Sequence, residues 1–192
     1  MPRKRPAPRL PTIADEDLTP EQHKLCDAIR SGPRGRLIMG GPFACFLHSP
    51  GYGQVAQQLG AHVRYHTSLP PRLSEFAILT TARLWKAQYE WFAHAPIAER
   101  AGVSPQTIRD LRAGRRPARA PADERALYDF IKELYRTRRV ADATYRRVHK
   151  LLGDAGMVEL VGILGYYGLI SMTLNVFRAK IPDDQPLPFA EP

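Results

Sequence analysis

The sequence predicts an all-α protein, and three observations support this class. Apolar residues recur at helical spacing through most of the chain between residues 20 and 178. Proline, serine and glycine stand where such segments begin and end. No segment shows the sustained alternation of apolar and polar residues that is typical of a β-strand. With 192 residues, the chain is long enough for one compact helical domain with short tails.

Start and stop signals place the helices in order. Thr19, Pro20 and Glu21 supply a cap, a first-turn proline and an early acid, so a helix is expected from there to Ser31. Residues 34–50 include five Gly or Pro residues and are expected to form a loop. Further helices are expected over residues 53–66, 71–86, 89–101, 104–114, 121–138, 142–153 and 157–178.

Residues 157–177 need a separate interpretation, because they are long and apolar enough to span a bilayer. The amphipathic helices before this segment need an apolar partner, which a helix that is apolar on all sides can supply. We therefore interpret the segment as a buried core or interface helix rather than a membrane anchor. It is also more polar than a typical span, since it contains Glu159, Tyr166, Tyr167, Ser171 and Asn175.

Composition limits the class of protein and its location. Lys and Arg number 28 against 19 Asp and Glu, which gives a net charge of +9. Cys26 and Cys45 form no CxxC pair, which excludes a disulfide framework, a Cys-rich zinc module and a dithiol redox centre. The basic N-terminus is followed by prolines and not by an apolar run, so it predicts neither a secretory signal nor an anchor. A cytoplasmic protein is expected.

Basic segments mark the expected domain limits. Residues 1–12 are rich in Pro and Arg and predict a disordered, mobile arm, followed by a single domain at 13–182 and a Pro-rich tail at 183–192. Arginines also cluster at 109–119 and 136–150. Such clusters can neutralise the phosphates of nucleic acids, but no recognition motif accompanies them. We interpret them as solvated surface charge and expect no specific nucleic-acid binding; a helical oligomer that binds another acidic partner is the alternative.

One group of titratable residues is suited to chemistry. Glu90 and His94 are four positions apart on a predicted helix, so their side chains project from one face. Glu75 lies on the preceding helix among apolar residues, where an unpartnered carboxylate would be costly. Packing of the two helices could bring Glu75 to His94. Carboxylates and an imidazole in an apolar pocket are suited to proton transfer, so these three are the candidate catalytic residues.

Two other interpretations use the same residues. The three side chains could form a hydrogen-bonded polar cluster in the core, or Glu90 and His94 could form an exposed helix pair. A zinc site would need a third ligand from His48, His62 or His66, and two ligands are too few to specify a metal. Neither a metal nor a cofactor is therefore expected.

Three stretches resemble a known family. LPPRLSEFAIL at 69–79 and ARLWKAQYEWFAHAPIAERAGVSPQTI at 82–108 resemble the core of the carboxymuconolactone decarboxylase family, within the alkylhydroperoxidase-D-like superfamily. VADATYRRVHKLLGDAGMVELVGILGYYGLISMTLNVF at 140–177 resembles the C-terminal half of longer members, so about residues 43–182 are covered. The resemblance implies an all-helical fold that assembles as homotrimers or homohexamers, with active sites at or near subunit contacts.

For the peroxidase branch, the resemblance implies a Glu on one helix and CxxCxxxH on the next. Glu75 and His94 match the Glu and the His, but Ala87 and Glu90 stand at the two Cys positions. Without a thiolate nucleophile and a resolving thiol there is no route through a sulfenic acid to a disulfide. Thiol peroxidase activity is therefore not expected.

For the decarboxylase branch, the resemblance implies cofactor-free loss of CO2 from 4-carboxymuconolactone, a step in the breakdown of aromatic compounds. Either His94 or Glu90 would donate a proton to carbon, and Glu75 would set the protonation state of His94. The substrate is expected to be an anionic, lactone-like small molecule.

Four further residues are candidates for binding that substrate. Arg72 and Arg83 would meet its anionic groups. His48 lies in a loop that could line the pocket, although a surface position is the alternative. Asn175 matches a recurrent Asn near the end of the last helix in the family, where helix packing is the alternative role.

Overall fold

The computed structural model describes residues 6–35, 40–182 and 185–190, and within these ranges it contains α-helices and no β-strand. The prediction of an all-α protein is confirmed. A single 3-10 turn at Asp15–Asp17 precedes the first α-helix. The helices are α1 (Pro20–Ser31), α2 (Gly41–Phe46), α3 (Pro50–Tyr65), α4 (Pro71–Leu84), α5 (Gln88–Arg100), α6 (Pro105–Arg112), α7 (Ala122–Thr137) and α8 (Asp142–Phe177).

The predicted start signals act as caps. The Thr19 side chain accepts a hydrogen bond from the backbone N–H of Gln22, and the Gln22 side chain accepts one from the backbone N–H of Thr19, which forms a capping box at the start of α1. Ser104 caps α6 by accepting from the backbone N–H of Thr107. These local bonds satisfy N–H groups that have no partner inside the helix.

Helix α4 is the centre of the core. Ten of its 14 residues are buried, because α5, α7 and α8 all pack against it. Phe76, Ile78 and Leu79 are wholly enclosed, and burial of each such side chain stabilises the fold by about 1.5–3 kcal/mol. The functional consequence is that Glu75, in the middle of α4, is carried into the interior.

Helix α8 supplies the other half of the core. The sequence predicts two helices here, over residues 142–153 and 157–178, and the structure confirms the break, because within Asp142–Phe177 the backbone leaves the helical conformation at Gly153, with φ 65° and ψ −176°. Glycine adopts this positive φ without a Cβ clash, so the chain bends there and helix resumes immediately. By length and composition α8 could cross a membrane, but half of its most apolar 18-residue window is buried inside the protein.

The expected loop at 34–50 contains a helix, so that prediction is wrong in part. Pro42, near the start of α2, has a fixed φ that suits the first turn of a helix. Phe46 is buried and meets the rings of Phe43 and Tyr52 edge-on, which holds α2 against α3. Gly40, Gly41 and Pro42, which suggested a loop, lie at the start of this short helix, and Pro50 opens α3. Residues 36–39 of the expected loop lie outside the described residues.

Both termini contact the helical body where they are described. The backbone N–H of Arg9 donates to the carbonyl of Phe177 at 3.1 Å, and its guanidinium donates to the carbonyl of Val176 at 2.8 Å. This part of the arm, which the sequence predicts to be mobile, is therefore held at the end of α8. Residues 1–5 of the arm lie outside the described residues.

The C-terminal tail is held by a pair of hydrogen bonds. The Gln88 side-chain amide donates to the carbonyl of Phe189 at 2.8 Å and accepts from the backbone N–H of Phe189 at 3.0 Å. The buried Phe189 ring meets Trp91 edge-on at 5.1 Å between centroids. Residues 183–184 and 191–192 of the expected tail lie outside the described residues.

Candidate active site

The structure brings together the three candidate catalytic side chains. His94 donates through Nδ1 to Oε2 of Glu75 across the α4–α5 contact, at 2.7 Å. One helical turn earlier on α5, Oε1 of Glu90 lies 3.1 Å from Nε2 of His94. The imidazole is thus held between two carboxylates, one on each ring nitrogen. We call Glu75, Glu90 and His94 the triad.

The triad is enclosed by the protein. Glu75 is 6% exposed, and Glu90 and His94 are each 4% exposed. The predicted alternative of an exposed helix pair is therefore wrong. Burial of charged groups is costly unless they are paired and hydrogen-bonded, and the two contacts of His94 provide that pairing.

The two carboxylates decide the protonation state of His94. Burial alone would lower the pKa of this imidazole, because it disfavours the charged form. The negative charge and hydrogen bond of Glu75, and then those of Glu90, outweigh burial and raise the pKa of His94 from 6.5 to about 9. At neutral pH the ring is therefore an imidazolium that carries a proton on both nitrogens.

Two tyrosines of α8 border the triad. The Tyr167 ring meets the His94 ring edge-on, with 5.2 Å between centroids, and Tyr166 meets Tyr167 in the same way at 5.5 Å. Burial raises the pKa of Tyr166 to about 12 and that of Tyr167 well above its ordinary value. Both phenols consequently keep their protons at neutral pH and are hydrogen-bond donors. From the sequence alone, these tyrosines are interpreted only as polar residues of a core helix.

A glycine on α3 makes room for the first of these tyrosines. A Cβ atom at Gly60 would stand well inside van der Waals contact of the Tyr166 hydroxyl. Gly60 itself is buried. The adjacent tyrosines in an apolar helix were the only signal in the sequence for this part of the site. The contact between Tyr166 and Gly60 could not be predicted, because it depends on how α3 packs on α8.

The two arginines expected to meet the substrate lie elsewhere. Arg72 forms ion pairs with Asp123 and Glu124 at the start of α7. Arg83 is eight residues after Glu75 on α4, about 12 Å along the helix axis. Its Nε donates to the carbonyl of Arg112 at 2.8 Å.

The other two expected substrate-binding residues also have contacts away from the triad. Nε2 of His48 lies 3.1 Å from the carbonyl oxygen of Pro11. The Asn175 side-chain amide donates to the carbonyl of Trp85 at 2.7 Å, which ties the end of α8 to the end of α4. All four residues that were expected to bind the substrate therefore have partners outside the triad among the described residues.

Neither cysteine belongs to α4 or α5, the two helices that carry the triad. Cys26 is buried on α1 and Cys45 lies on α2, and burial raises the pKa of both thiols. Among the described residues, no group of three or more His, Cys, Asp or Glu side chains is arranged to hold a metal ion. The arrangement is suited instead to storing a proton on His94 and passing it through a carboxylate.

Comparisons with known proteins agree with this architecture. The model of the carboxymuconolactone decarboxylase family matches residues 50–133, which include the whole triad. The match ends before α8, although the resemblance seen in the sequence extends to about residue 182. A comparison with curated proteins finds no match.

Three solved structures share the fold. The first is the AhpD core of an uncharacterized peroxidase-related protein from Ralstonia eutropha, with a TM-score of 0.76, 16% identity, and 93% of this chain and 94% of that chain covered. An uncharacterized peroxidase-related protein from a Silicibacter species has a TM-score of 0.73 at 15% identity, with 93% of each chain covered. A protein of unknown function from Agrobacterium tumefaciens, whose name relates it to the antioxidant defence protein AhpD, has a TM-score of 0.66 at 17% identity and covers 73% of this chain and 97% of its own.

Proposed function

We propose that this chain, in which residues 50–133 match the model of the carboxymuconolactone decarboxylase family and whose fold is AhpD-like, is a cofactor-independent decarboxylase. Its substrate would be an anionic, lactone-like small molecule from the breakdown of aromatic compounds. The observation that supports this most strongly is the protonated His94 held between two buried carboxylates.

The chemistry of such a decarboxylation needs one proton and no redox partner. The bond from the ring carbon to the carboxylate breaks, CO2 leaves, and the electron pair moves through the alkene into the lactone carbonyl as a dienolate. A proton delivered to carbon then completes the reaction. An enzyme accelerates this sequence by stabilising the developing oxyanion more than the starting carboxylate.

The proposed reaction gives different tasks to the members of the triad. Both nitrogens of His94 are engaged, whereas Glu90 offers a second carboxylate oxygen. Glu90 therefore carries the proton to the substrate, and His94 replaces it from Nε2. Glu75 acts as a positioning residue that keeps His94 protonated through Nδ1. In this proposal the neutral phenol of Tyr167, whose ring borders His94, is a hydroxyl donor for the oxyanion.

A thiol peroxidase function, which the names of the structural neighbours suggest, is not supported by the site. Ala87 and Glu90 occupy the positions where the peroxidase branch has its two cysteines. Glu90 instead makes a carboxylate contact to His94. A carboxylate cannot form the sulfenic acid or the disulfide that such a reaction requires.

We also propose that the chain is a cytoplasmic homotrimer or homohexamer. Large apolar side chains lie exposed along α3 and α8, and Val158 is 75% exposed. Exposed apolar side chains that share a helix face usually mark an interaction surface. A second copy of the chain is the occupant that the family resemblance favours. The exposed side chains are Tyr52, Val55, Leu59, Tyr65, Tyr145, Leu151, Val158, Val161, Met172 and Val176.

The function is tested by CO2 release from 4-carboxymuconolactone. Wild-type protein is expected to release CO2, and a Glu90→Gln, His94→Gln double variant is expected to release none above background. His149→Gln, which removes a histidine on the far side of Gly153, is the matched control and should keep wild-type turnover. No release by wild type would reject this substrate, and release by the double variant would reject the triad.

A further inference from the structure

Cationic side chains surround the C-terminal end of α4. Four cavities with volumes of 370, 390, 300 and 190 Å³ lie here. They adjoin one another, since Lys86 lines the first two, and Arg83 lines both the second and the fourth. Within the described part of the chain, every charged residue that lines them is Lys or Arg. The sequence did not reveal this convergence, because the contributing segments are far apart in the chain.

The 390 Å³ cavity holds the densest group of cations. Arg83, Lys86, Arg109 and Arg112 line it together with the C-terminal residues 188–190. Nε of Arg112 donates to the carbonyl of Pro188 at 2.8 Å. None of these four cations forms an ion pair with a carboxylate among residues 6–35, 40–182 and 185–190.

Two of the guanidinium groups are already oriented. Arg83 is fixed by its bond to the carbonyl of Arg112 and by the Phe189 ring, whose centroid lies 5.1 Å from the guanidinium carbon. Since backbone carbonyls engage the Nε atoms of Arg83 and Arg112, the terminal nitrogens of both forks are available to an anion. A planar fork of this kind binds phosphate or carboxylate oxygens in pairs.

Lys86 is held in a conformation that usually belongs to glycine. Its φ is 50°, and the turn has the bonds of a Schellman motif, from Lys86 N–H to the Arg83 carbonyl and from Ala87 N–H to the Ala82 carbonyl. The other positive-φ residues besides glycine in the described chain are Arg138 and Arg178, which line neighbouring cavities. Three helices thus end at this face with a cation where glycine would be less strained.

The helix ends alone do not explain these cations. A cation anywhere in the last turn compensates the negative end of a helix, and it does not need the left-handed position to do so. The Schellman turn also holds Lys86 at the cavity that Arg83, Arg109 and Arg112 line. This position in the cavity favours a role of Lys86 in binding.

We propose that this cavity binds the diphosphate group of a small molecule. Two oriented guanidinium forks and two further cations match a group with several negatively charged oxygens. The cavity volume is within the size range of small-molecule sites, which favours a compact ligand over a nucleic-acid strand. The site is separate from the triad and does not depend on the proposed decarboxylation.

The test is calorimetric titration of the full-length protein with inorganic pyrophosphate. Wild type is expected to bind one pyrophosphate per chain. Lys86→Gly should weaken binding about tenfold or more, since it removes a charged hydrogen-bond donor, while its melting temperature stays level or rises because the strain is relieved. Arg138→Gly makes the same change at the end of α7 and is the matched control, with affinity expected to stay within about twofold of wild type.

Three results would overturn the proposal. The first is the absence of saturable binding by wild type, and the second is equal binding by wild type and Lys86→Gly. The third is tighter binding of a single-stranded oligonucleotide than of pyrophosphate, lost in the same variant, which would make the face a nucleic-acid surface. Arg109→Gln gives an independent check, because it lines the same cavity without a left-handed backbone and should also weaken pyrophosphate binding.

Discussion

The hydroxyl of Tyr166 occupies the space that a side chain at position 60 would need, so Gly60 on α3 and Tyr166 on α8 fit together only because residue 60 has no Cβ. This relationship fixes the distance between the two helices beside the triad. It also carries the ring of Tyr166 to the edge of Tyr167, which in turn borders His94.

Gly60→Ala is therefore expected to lower the free energy of unfolding by about 1–3 kcal/mol, because the added methyl group displaces the Tyr166 ring from a close-packed core. Chemical denaturation monitored by tyrosine fluorescence checks this value. Gly51→Ala on the same helix is the control, since a Cβ there meets no atom within 4 Å. It should change stability by less than about 0.5 kcal/mol, and equal losses in both variants would contradict the packing argument.

The raised pKa of His94 makes stability depend on pH. The folded protein keeps a proton that the unfolded chain releases above about pH 6.5, so the stabilisation is complete below that pH. It is lost as the pH rises through about 9, with a total of about 3 kcal/mol. Denaturation at a series of pH values should show this decline in wild type and a flatter profile in His94→Gln. An equal decline in both would assign the effect to another group.

Glu75→Gln should lower the pKa of His94. The variant keeps a hydrogen-bonding side chain of similar size but removes the charge that most strongly opposes the effect of burial. Titration of the His94 ring by NMR should give an apparent pKa near 9 in wild type and a clearly lower one in the variant. A wild-type value near 6.5 would show that the carboxylates do not act on the ring in this way.

Arg72→Met is expected to destabilise the fold by about 3 kcal/mol, because it leaves a buried carboxylate without its partner. Glu124 has a side chain that is 1% exposed, and burial already raises its pKa despite the nearby guanidinium. The control is Arg116→Met, which breaks the more exposed pair with Asp129 and should cost less than about 1 kcal/mol. Similar losses in thermal or chemical denaturation would reject the distinction between the two pairs.

Val158→Glu should dissociate the proposed oligomer. It places a charge in the middle of the exposed apolar face of α8, where a partner copy would have to bury it. Light scattering coupled to size-exclusion chromatography is expected to show a trimer or hexamer for wild type and a smaller species for the variant. Ala118→Glu, on an exposed loop, is the matched control; a wild type that is monomeric at all concentrations would contradict the assembly.

Local signals predicted much of the fold. Some signals in the sequence act on backbone only a few residues away, so the helix ends that they set can be predicted from the sequence. These signals are the cap at Thr19, the prolines that open α4 and α6, and the glycine at 153. Helix α2 was missed because its stability comes from the packing of Phe46 on neighbouring rings, and its own composition resembles a loop.

The site was predictable to the extent that spacing determines it. Glu90 and His94 share a helix face, and the apolar surroundings of Glu75 indicated that it needed a partner. The partners of Arg72 were not predictable, because they depend on how α7 docks against α4. For the same reason the sequence did not show that Tyr167 borders His94.

The position of α4 has a consequence for biosynthesis. Its apolar side chains are covered on one side by α8, which the ribosome makes only after α4 to α7 are complete. A nascent chain that has reached residue 141 therefore exposes the apolar α4 surface that α8 later covers, and such surfaces are the ones that chaperones engage. The domain closes around its triad only once the long last helix has emerged.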